Sequence, residues 1–422
     1  MYANSVTTPE LEELARRVRA ASRVVARASG PVRDDALRMA ADLLEEEWSA
    51  LVDVNRGDLA RAESAGMAAS AQDRLRLTEA RVRAMAAGLR GVARLADPVG
   101  EVLDGWVRPN GLRVSRVRVP LGVVGVIYEN RPNVTSDAAG LCLKAGNAAF
   151  LRGSASALDS NRAIVALLRR AASKAGLPED AVALVEDTSH ETAVAFMRLR
   201  GLVDCLIPRG GPSLIASLLE HATVPYVLDG DGNCHVYVDA TADLSMALDI
   251  VVNAKTHRFG VCNAAETILV HAAVAEAFLP TMASALTGAG VELRGDERVR
   301  AILPGTAVAE ETDFATEFLA PIVAVGVVDD LDGAIEHITR YSSGHSEAIV
   351  TTEVRAADRF VAEVDAAAVL VNASTRFIDG EELGLGAEVG ISTQKLHARG
   401  PMGVRELTSV KWVVRGDGQV RE

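Results

Sequence analysis

Residues 122–153 read GVVGVIYENRPNVTSDAAGLCLKAGNAAFLRG, and this stretch decides the fold class. An unalternated apolar run, Val123–Tyr128, leads through a polar turn into an apolar helix-like segment with Ala139, Leu141 and Leu143. A second run, Ala148–Leu151, follows. Strands with one wet face alternate polar and apolar residues, whereas continuous β-branched runs belong to strands covered on both faces, as in parallel sheets. Similar runs recur at Ala181–Val185, Val203–Ile207, Tyr226–Leu228, His235–Val238, Thr267–Val270, Ile322–Val328, Ala348–Val350 and Val369–Val371. That is more than one comfortable sheet holds, so two α/β lobes are expected. The break at Asp229-Gly230-Asp231-Gly232 is the expected crossing between them.

Upstream, the first hundred residues carry helical periodicity, with Leu11, Leu14, Val18 and Val25 on one face and Leu37, Leu44, Trp48 and Leu51 on another. Between Trp106 and Pro120 the period shortens to two, after the turn signal Pro109-Asn110-Gly111. A hairpin with an apolar and a basic face is expected there, either as an arm for another subunit or as a surface excursion. The whole chain has 422 residues, with 49% hydrophobic and 24% charged, enough for two or three folded domains. A net charge of −13 argues against nucleic acid or an anionic membrane as the main partner. No apolar stretch has spanning length and the first residues lack a signal-peptide layout, so a cytoplasmic enzyme is expected.

Four cysteines without a C-x-x-C pair fit a reducing compartment, and no His/Cys spacing matches a zinc motif. Cys142 and Cys205 lie in apolar runs and read as core thiols, as does Cys234 at the head of a strand. Cys262 differs: it ends the polar stretch Asn253-Ala254-Lys255-Thr256-His257-Arg258-Phe259-Gly260-Val261, whose fixed cations favour a thiolate. From the residues alone, a nucleophile and a packed thiol remain equal readings of it. The turn Arg209-Gly210-Gly211 follows a strand and opens a helix, a geometry that presents backbone N–H groups to phosphate. Arg152 ends another strand and serves either that ligand or only the surface.

Several longer runs are specific. Arg131-Pro132-Asn133-Val134-Thr135, Ile207-Pro208-Arg209-Gly210-Gly211 and Asn253-Ala254-Lys255-Thr256 resemble the γ-glutamyl phosphate reductases, a branch of the aldehyde dehydrogenase superfamily. So does Val371-Asn372-Ala373-Ser374-Thr375-Arg376-Phe377, with the continuation from Gly384 to Gly403. The resemblance implies an aldehyde-dehydrogenase-like α/β fold: a Rossmann-like cofactor lobe, an α/β catalytic lobe and a small β oligomerisation element. The implied boundaries are residues 1–105 and 123–233 for NADP binding, 234–390 for catalysis, with its end free to return to the cofactor lobe, and 106–122 with 391–422 for oligomerisation.

The implied chemistry is NADPH-dependent reduction of L-glutamate 5-phosphate to the 5-semialdehyde, the second step of proline biosynthesis, through a thioester on Cys262. Asn133 is the first choice for the side chain that steadies the oxyanion and Asn130 the reserve. Arg152, Arg209, Gly210, Gly211 and Glu317 are assigned to the cofactor. Arg131, Lys255, Arg258, Ser374, Thr375 and Arg376 are assigned to the anionic substrate. Hydrolytic relatives carry a glutamate base where this chain has Leu228, so the thioester is expected to meet phosphate rather than water, unless Asp229 or Asp231 substitutes. A homo-oligomer and a separate glutamate 5-kinase that delivers the labile acyl phosphate are the implied partners. The competing readings are a coenzyme A-dependent acylating dehydrogenase and a silent binding protein.

Overall fold

The computed structural model describes residues 8–228 and 230–421 and resolves into two compact units. One comprises residues 8–228, 384–390 and 402–421, and the other residues 230–383 and 391–401. The chain therefore changes unit inside the Asp229–Gly232 break, with Asp229 itself outside the described residues.

In the first unit, β1 (Val102–Val107) and β2 (Arg113–Pro120) form the hairpin. β3 (Val123–Tyr128), β4 (Ala148–Arg152), β5 (Val182–Leu184) and β6 (Cys205–Arg209) make a fully parallel sheet in the order β5-β4-β3-β6. Every residue of β3 is buried, which is what its unbroken apolar run requires. The helix Thr8–Val25 covers one face, where Leu11, Ala15 and Val18 join Val123, Ile127, Phe150, Phe196 and Leu206 in one core. The expected strand at Tyr226–Leu228 shrinks to a single bridge between Tyr226 and Leu206.

The helix Pro132–Lys144 starts just beyond β3 and brings Arg131 and Asn133 to the C-terminal end of the sheet. Its far end is tied down by charge. Lys144 is buried and its ammonium donates to Asp34 Oδ1 at 2.7 Å and to the Ala93 carbonyl at 3.2 Å. Arg33, also buried, donates to the Lys144 carbonyl at 3.0 Å and to Asp97 at 2.6 Å. These contacts join helices distant in sequence to the end of Pro132–Lys144.

In the second unit seven strands run parallel: β7 (Cys234–Val238), β8 (Ala265–His271), β9 (Glu292–Gly295), β10 (Ala307–Val308), β11 (Ile322–Val328), β12 (Ser346–Val350) and β13 (Ala368–Val371), ordered β10-β9-β11-β8-β7-β12-β13. Val236, Ile268 and Val325 pack against helices Leu244–Thr256 and Ala272–Gly288 on one face. Tyr237, Leu269 and Ile349 meet helices Leu331–Tyr341 and Val354–Glu363 on the other. A short antiparallel pair, β14 (Ile391–Ser392) and β15 (Gly400–Pro401), belongs to the same unit.

The last strand, β16 (Thr408–Arg415), returns to the first unit and pairs along all of β2, giving a three-stranded antiparallel sheet β1-β2-β16. Two of the arginines expected on a basic face are paired locally: Arg116 forks onto Asp104, and Arg118 binds Glu101 at 2.9 Å. Apolar side chains remain outside. Val102, Trp106, Val107, Trp412 and Val414 are all exposed, with Trp106 edge-on to Trp412 at 5.7 Å.

Replacing Lys144 by Met keeps its buried stem but strands the Asp34 carboxylate and the Ala93 carbonyl. Breaking a buried pair from one side costs about 3 kcal/mol, so Lys144→Met is expected to lower the urea midpoint of the first unit well below wild type. An unchanged midpoint would show that the pair does not hold this helix.

Candidate active site

Cys262 lies in the loop between helix Leu244–Thr256 and β8. The helix is started by Asp243, whose side chain accepts the Ser245 and Met246 N–H groups, and the chain then runs through a series of bends and a turn over 257–264. The thiol is neither in the core nor fully outside, unlike Cys142, Cys205 and Cys234, which are buried.

The backbone of this loop is held from several sides. Cys234 donates its Sγ–H to the Cys262 carbonyl at 3.1 Å. Burial, with Glu347 and Cys262 nearby, pushes the Cys234 thiol well up, so it stays protonated and able to donate. Gly232 presses on the same peptide: a Cβ there would stand 1.7 Å from the Cys262 oxygen, so no other residue fits without moving the loop. The Gly232 N–H is in turn bound by Glu317 Oε1 at 2.8 Å. On the far side Asn263 donates to the Ile378 carbonyl at 2.8 Å, and Thr375 donates to the Asn263 carbonyl at 2.7 Å.

Among the assigned anion binders, the structure separates exposed groups from internal ones. Arg258 is exposed, and Arg376 is partly exposed with its Nε donating to His257 Nδ1 at 3.3 Å. Burial lowers the Arg376 pKa, while Asp379 and the Cys262 thiol pull the other way. Arg376 thus interacts electrostatically with the thiol. Ser374 and Thr375 are buried and act on the chain itself, Ser374 accepting the Arg376 N–H at 3.3 Å. Lys255 is fully buried and its ammonium is taken by Glu266. Its polar neighbours concealed the periodicity: Ala247, Val251 and Lys255 fall on one inward face of the helix.

In the first unit the assigned residues gather at the C-terminal ends of β3, β4 and β6. The Gly211 N–H opens helix Pro212–His221, but Glu129 Oε2 accepts it at 3.1 Å, so an internal carboxylate already sits on that helix end. Arg209 is partly exposed beside it, and Gly211 has open space on its Cβ side. A carboxylate-capped helix end with an adjacent arginine and open approach fits a pyrophosphate, which makes the same kind of bond as Glu129 does. Arg152 instead turns to the Thr188 and Ser189 carbonyls at 2.8 and 3.0 Å.

The two asparagines differ sharply. Asn133 is exposed in the first helical turn and spends its amide on Asp137 at 3.0 Å. Asn130 has φ +44°, and its Oδ1 accepts both Ser154 and Ser156 hydroxyls. With both oxygen lone pairs engaged, the Asn130 amide is oriented with its NH₂ as the group to offer. Asp231 is exposed, and Leu228 is partly buried. Among the described residues there is no cluster of three His, Cys, Asp or Glu groups suited to a metal, and no helix is long and apolar enough to cross a membrane.

The sequence matches the aldehyde dehydrogenase family over residues 2–303 and 306–413. It is 55% identical to the γ-glutamyl phosphate reductase of Moorella thermoacetica over 413 residues, covering 98% of this chain and 99% of the relative. The γ-glutamyl phosphate reductase of Thermobifida fusca is 53% identical over 412 residues, with 98% and 99% covered. The crystal structure of γ-glutamyl phosphate reductase from Thermotoga maritima superposes with a TM-score of 0.96 at 48% identity, covering 98% of this chain and 100% of that one. A parallel sheet in each unit, a partly exposed cysteine in a braced loop and full-length similarity of this degree agree: the chain belongs to the aldehyde dehydrogenase family, in its γ-glutamyl phosphate reductase branch.

Proposed function

We propose that this enzyme reduces L-glutamate 5-phosphate to L-glutamate 5-semialdehyde with release of phosphate, as the second step of proline biosynthesis, and that NADPH is its nicotinamide cofactor. The observation that carries the reading is Cys262, partly exposed on a loop whose backbone is immobilised by Gly232 and Cys234, with the Arg376 guanidinium nearby. The Cys262 thiolate attacks the acyl carbon, and phosphate departs with the bonding pair, leaving a thioester. When bound, the reduced nicotinamide supplies hydride to that carbonyl. Cys262 is then expelled as thiolate when the thiohemiacetal collapses to the aldehyde.

Each addition places negative charge on the former carbonyl oxygen, and donors fixed beforehand are worth most there. The Cys262 N–H and the Asn130 amide are assigned this task. Asn130 displaces Asn133 as first choice because Ser154 and Ser156 orient its NH₂, while Asn133 is engaged by Asp137. Arg376 and Arg258 are assigned to the phosphoryl and α-carboxylate ends, with Arg131 at the N-terminus of helix Pro132–Lys144 as a third cation. Glu317 is assigned to the nicotinamide ribose, and Arg209 with the Gly210-Gly211 turn to the pyrophosphate; Arg152 serves the adenosine end. Leu228 supplies no base to activate water, which leaves phosphate as the partner that forms and receives the acyl group. The sheet β1-β2-β16, with its exposed tryptophans and valines, is assigned to contact with a second copy. A cytoplasmic setting with a glutamate 5-kinase as supplier of the acyl phosphate completes the proposal.

In the reverse direction, NADP⁺ reduction by glutamate 5-semialdehyde is expected to require inorganic phosphate and to vanish in Cys262→Ala. Turnover of wild type without phosphate would show that the thioester is hydrolysed and would remove the argument from Leu228. For the oxyanion, Asn130→Ala is expected to lower kcat by about 10²–10³-fold, the usual loss for one such donor. Asn133→Ala should stay within about three-fold of wild type, since its amide is engaged by Asp137 rather than offered. The reverse ranking in steady-state assays would return the role to Asn133.

A further inference from the structure

Lys255 and Glu266 are both fully buried in the second unit, on helix Leu244–Thr256 and on β8. A buried ion pair is a poor source of stability, because desolvation cancels much of its attraction. What the second oxygen of the carboxylate does is therefore informative. Glu266 Oε2 takes the Lys255 ammonium, and Oε1 accepts the backbone N–H of Leu319 at 3.2 Å. Leu319 has φ +51°, one of three non-glycine residues in the left-handed region among the described residues. Its side chain is 46% exposed, so packing of the leucine does not account for the strained backbone.

The segment held in this way is the one that carries Glu317. Two residues before Leu319, Glu317 reaches the Gly232 N–H at 2.8 Å, and Gly232 is in direct backbone contact with Cys262. A continuous path therefore runs from Lys255 through Glu266, the Leu319 peptide, Glu317 and Gly232 to the reactive-cysteine loop. Cys234 and Glu317 also favour the charge of Lys255, so the field of this internal cation extends to two residues that brace the Cys262 loop. Burial pushes Glu266 up to about 7, against the pull of Lys255 and of the Leu319 N–H.

We propose that the Lys255–Glu266 pair is a positioning unit: it pins Leu319 in its left-handed conformation and so fixes Glu317 on Gly232 beneath Cys262, without touching substrate. Its effect on the cofactor rests on the assignment of Glu317 to the nicotinamide ribose. Its effect on the protein does not.

Two double variants separate this role from a merely structural one. Lys255→Met/Glu266→Leu replaces the pair with apolar groups, a swap that is often neutral for stability. Lys255→Met/Glu266→Gln also removes the charges but leaves an amide oxygen for the Leu319 N–H. Hydrogen–deuterium exchange, read residue by residue without cofactor, should show the Leu319 and Gly232 amides losing protection by at least about ten-fold in the first variant. The second should stay near wild type, with the amides of β8 equally protected in both. Equal behaviour of the two variants, or full protection of Gly232 in the first, would overturn the proposal. Should the first variant fail to fold, wild type decides: an unprotected Leu319 amide would equally overturn it, and a protected one supports it. NADP⁺ dissociation constants by calorimetry are expected to rise in the variant whose Gly232 amide loses protection. Glu317→Gln serves as the control: if that variant binds NADP⁺ like wild type, the ribose assignment fails while the exchange result still stands.

Discussion

The contact between Gly232 and the Cys262 peptide is the constraint on which the catalytic architecture depends. It leaves no room for even one carbon, so the chain entering β7 and the loop entering β8 are locked face to face. Everything near it either maintains this closeness or exploits it. Cys234 binds the Cys262 carbonyl, Glu317 binds the Gly232 N–H, and Asn233 between them donates to the Phe314 and Tyr341 carbonyls, both at 2.7 Å. The nucleophilic role proposed for Cys262 calls for little reorganisation, and a loop fixed through its main chain leaves only the thiol to move.

The parallel strands and the special character of Cys262 were legible in the chain because each has a local signature. β3, β4 up to Leu151 and the Ala348–Val350 end of β12 are unbroken apolar runs, and Cys262 sits in a polar, cationic neighbourhood that no core thiol shares. β9, between β10 and β11, has no such signature, because Glu292 and Arg294 alternate with buried Leu293 and Gly295 and break up any apolar run. Tyr226–Leu228 misled in the opposite way: its composition suits a strand, but only one bridge forms. Composition records burial, not pairing.

The site itself was legible as a set of residue types and much less as a set of roles. Lys255 looked like a substrate cation because Thr256, His257 and Arg258 around it are polar, yet its four-residue spacing from Val251 and eight-residue spacing from Ala247 marked an inward position. The bracing of Cys262 by Cys234, and the orientation of Asn130 by Ser154 and Ser156, join residues more than twenty positions apart. No spacing rule reaches them. Ser374 and Thr375 illustrate the same point: a run that reads as a binding motif can owe its residues to the shape of the loop.

On the proposed assignment of the pyrophosphate to the Gly210-Gly211 turn, Glu129 on the Gly211 N–H changes how cofactor affinity is set. A phosphate group arriving there does not fill a vacant hydrogen-bonding position; it exchanges with an anion that the protein carries on its own chain. The affinity expected on that assignment is the difference between two occupants of the same donor, less the effect of an expelled carboxylate left near the incoming charge. On that assignment, such a built-in competitor would let a single side chain at residue 129 trade tight retention of the nucleotide against its rapid release, with no change to the residues proposed to recognise it.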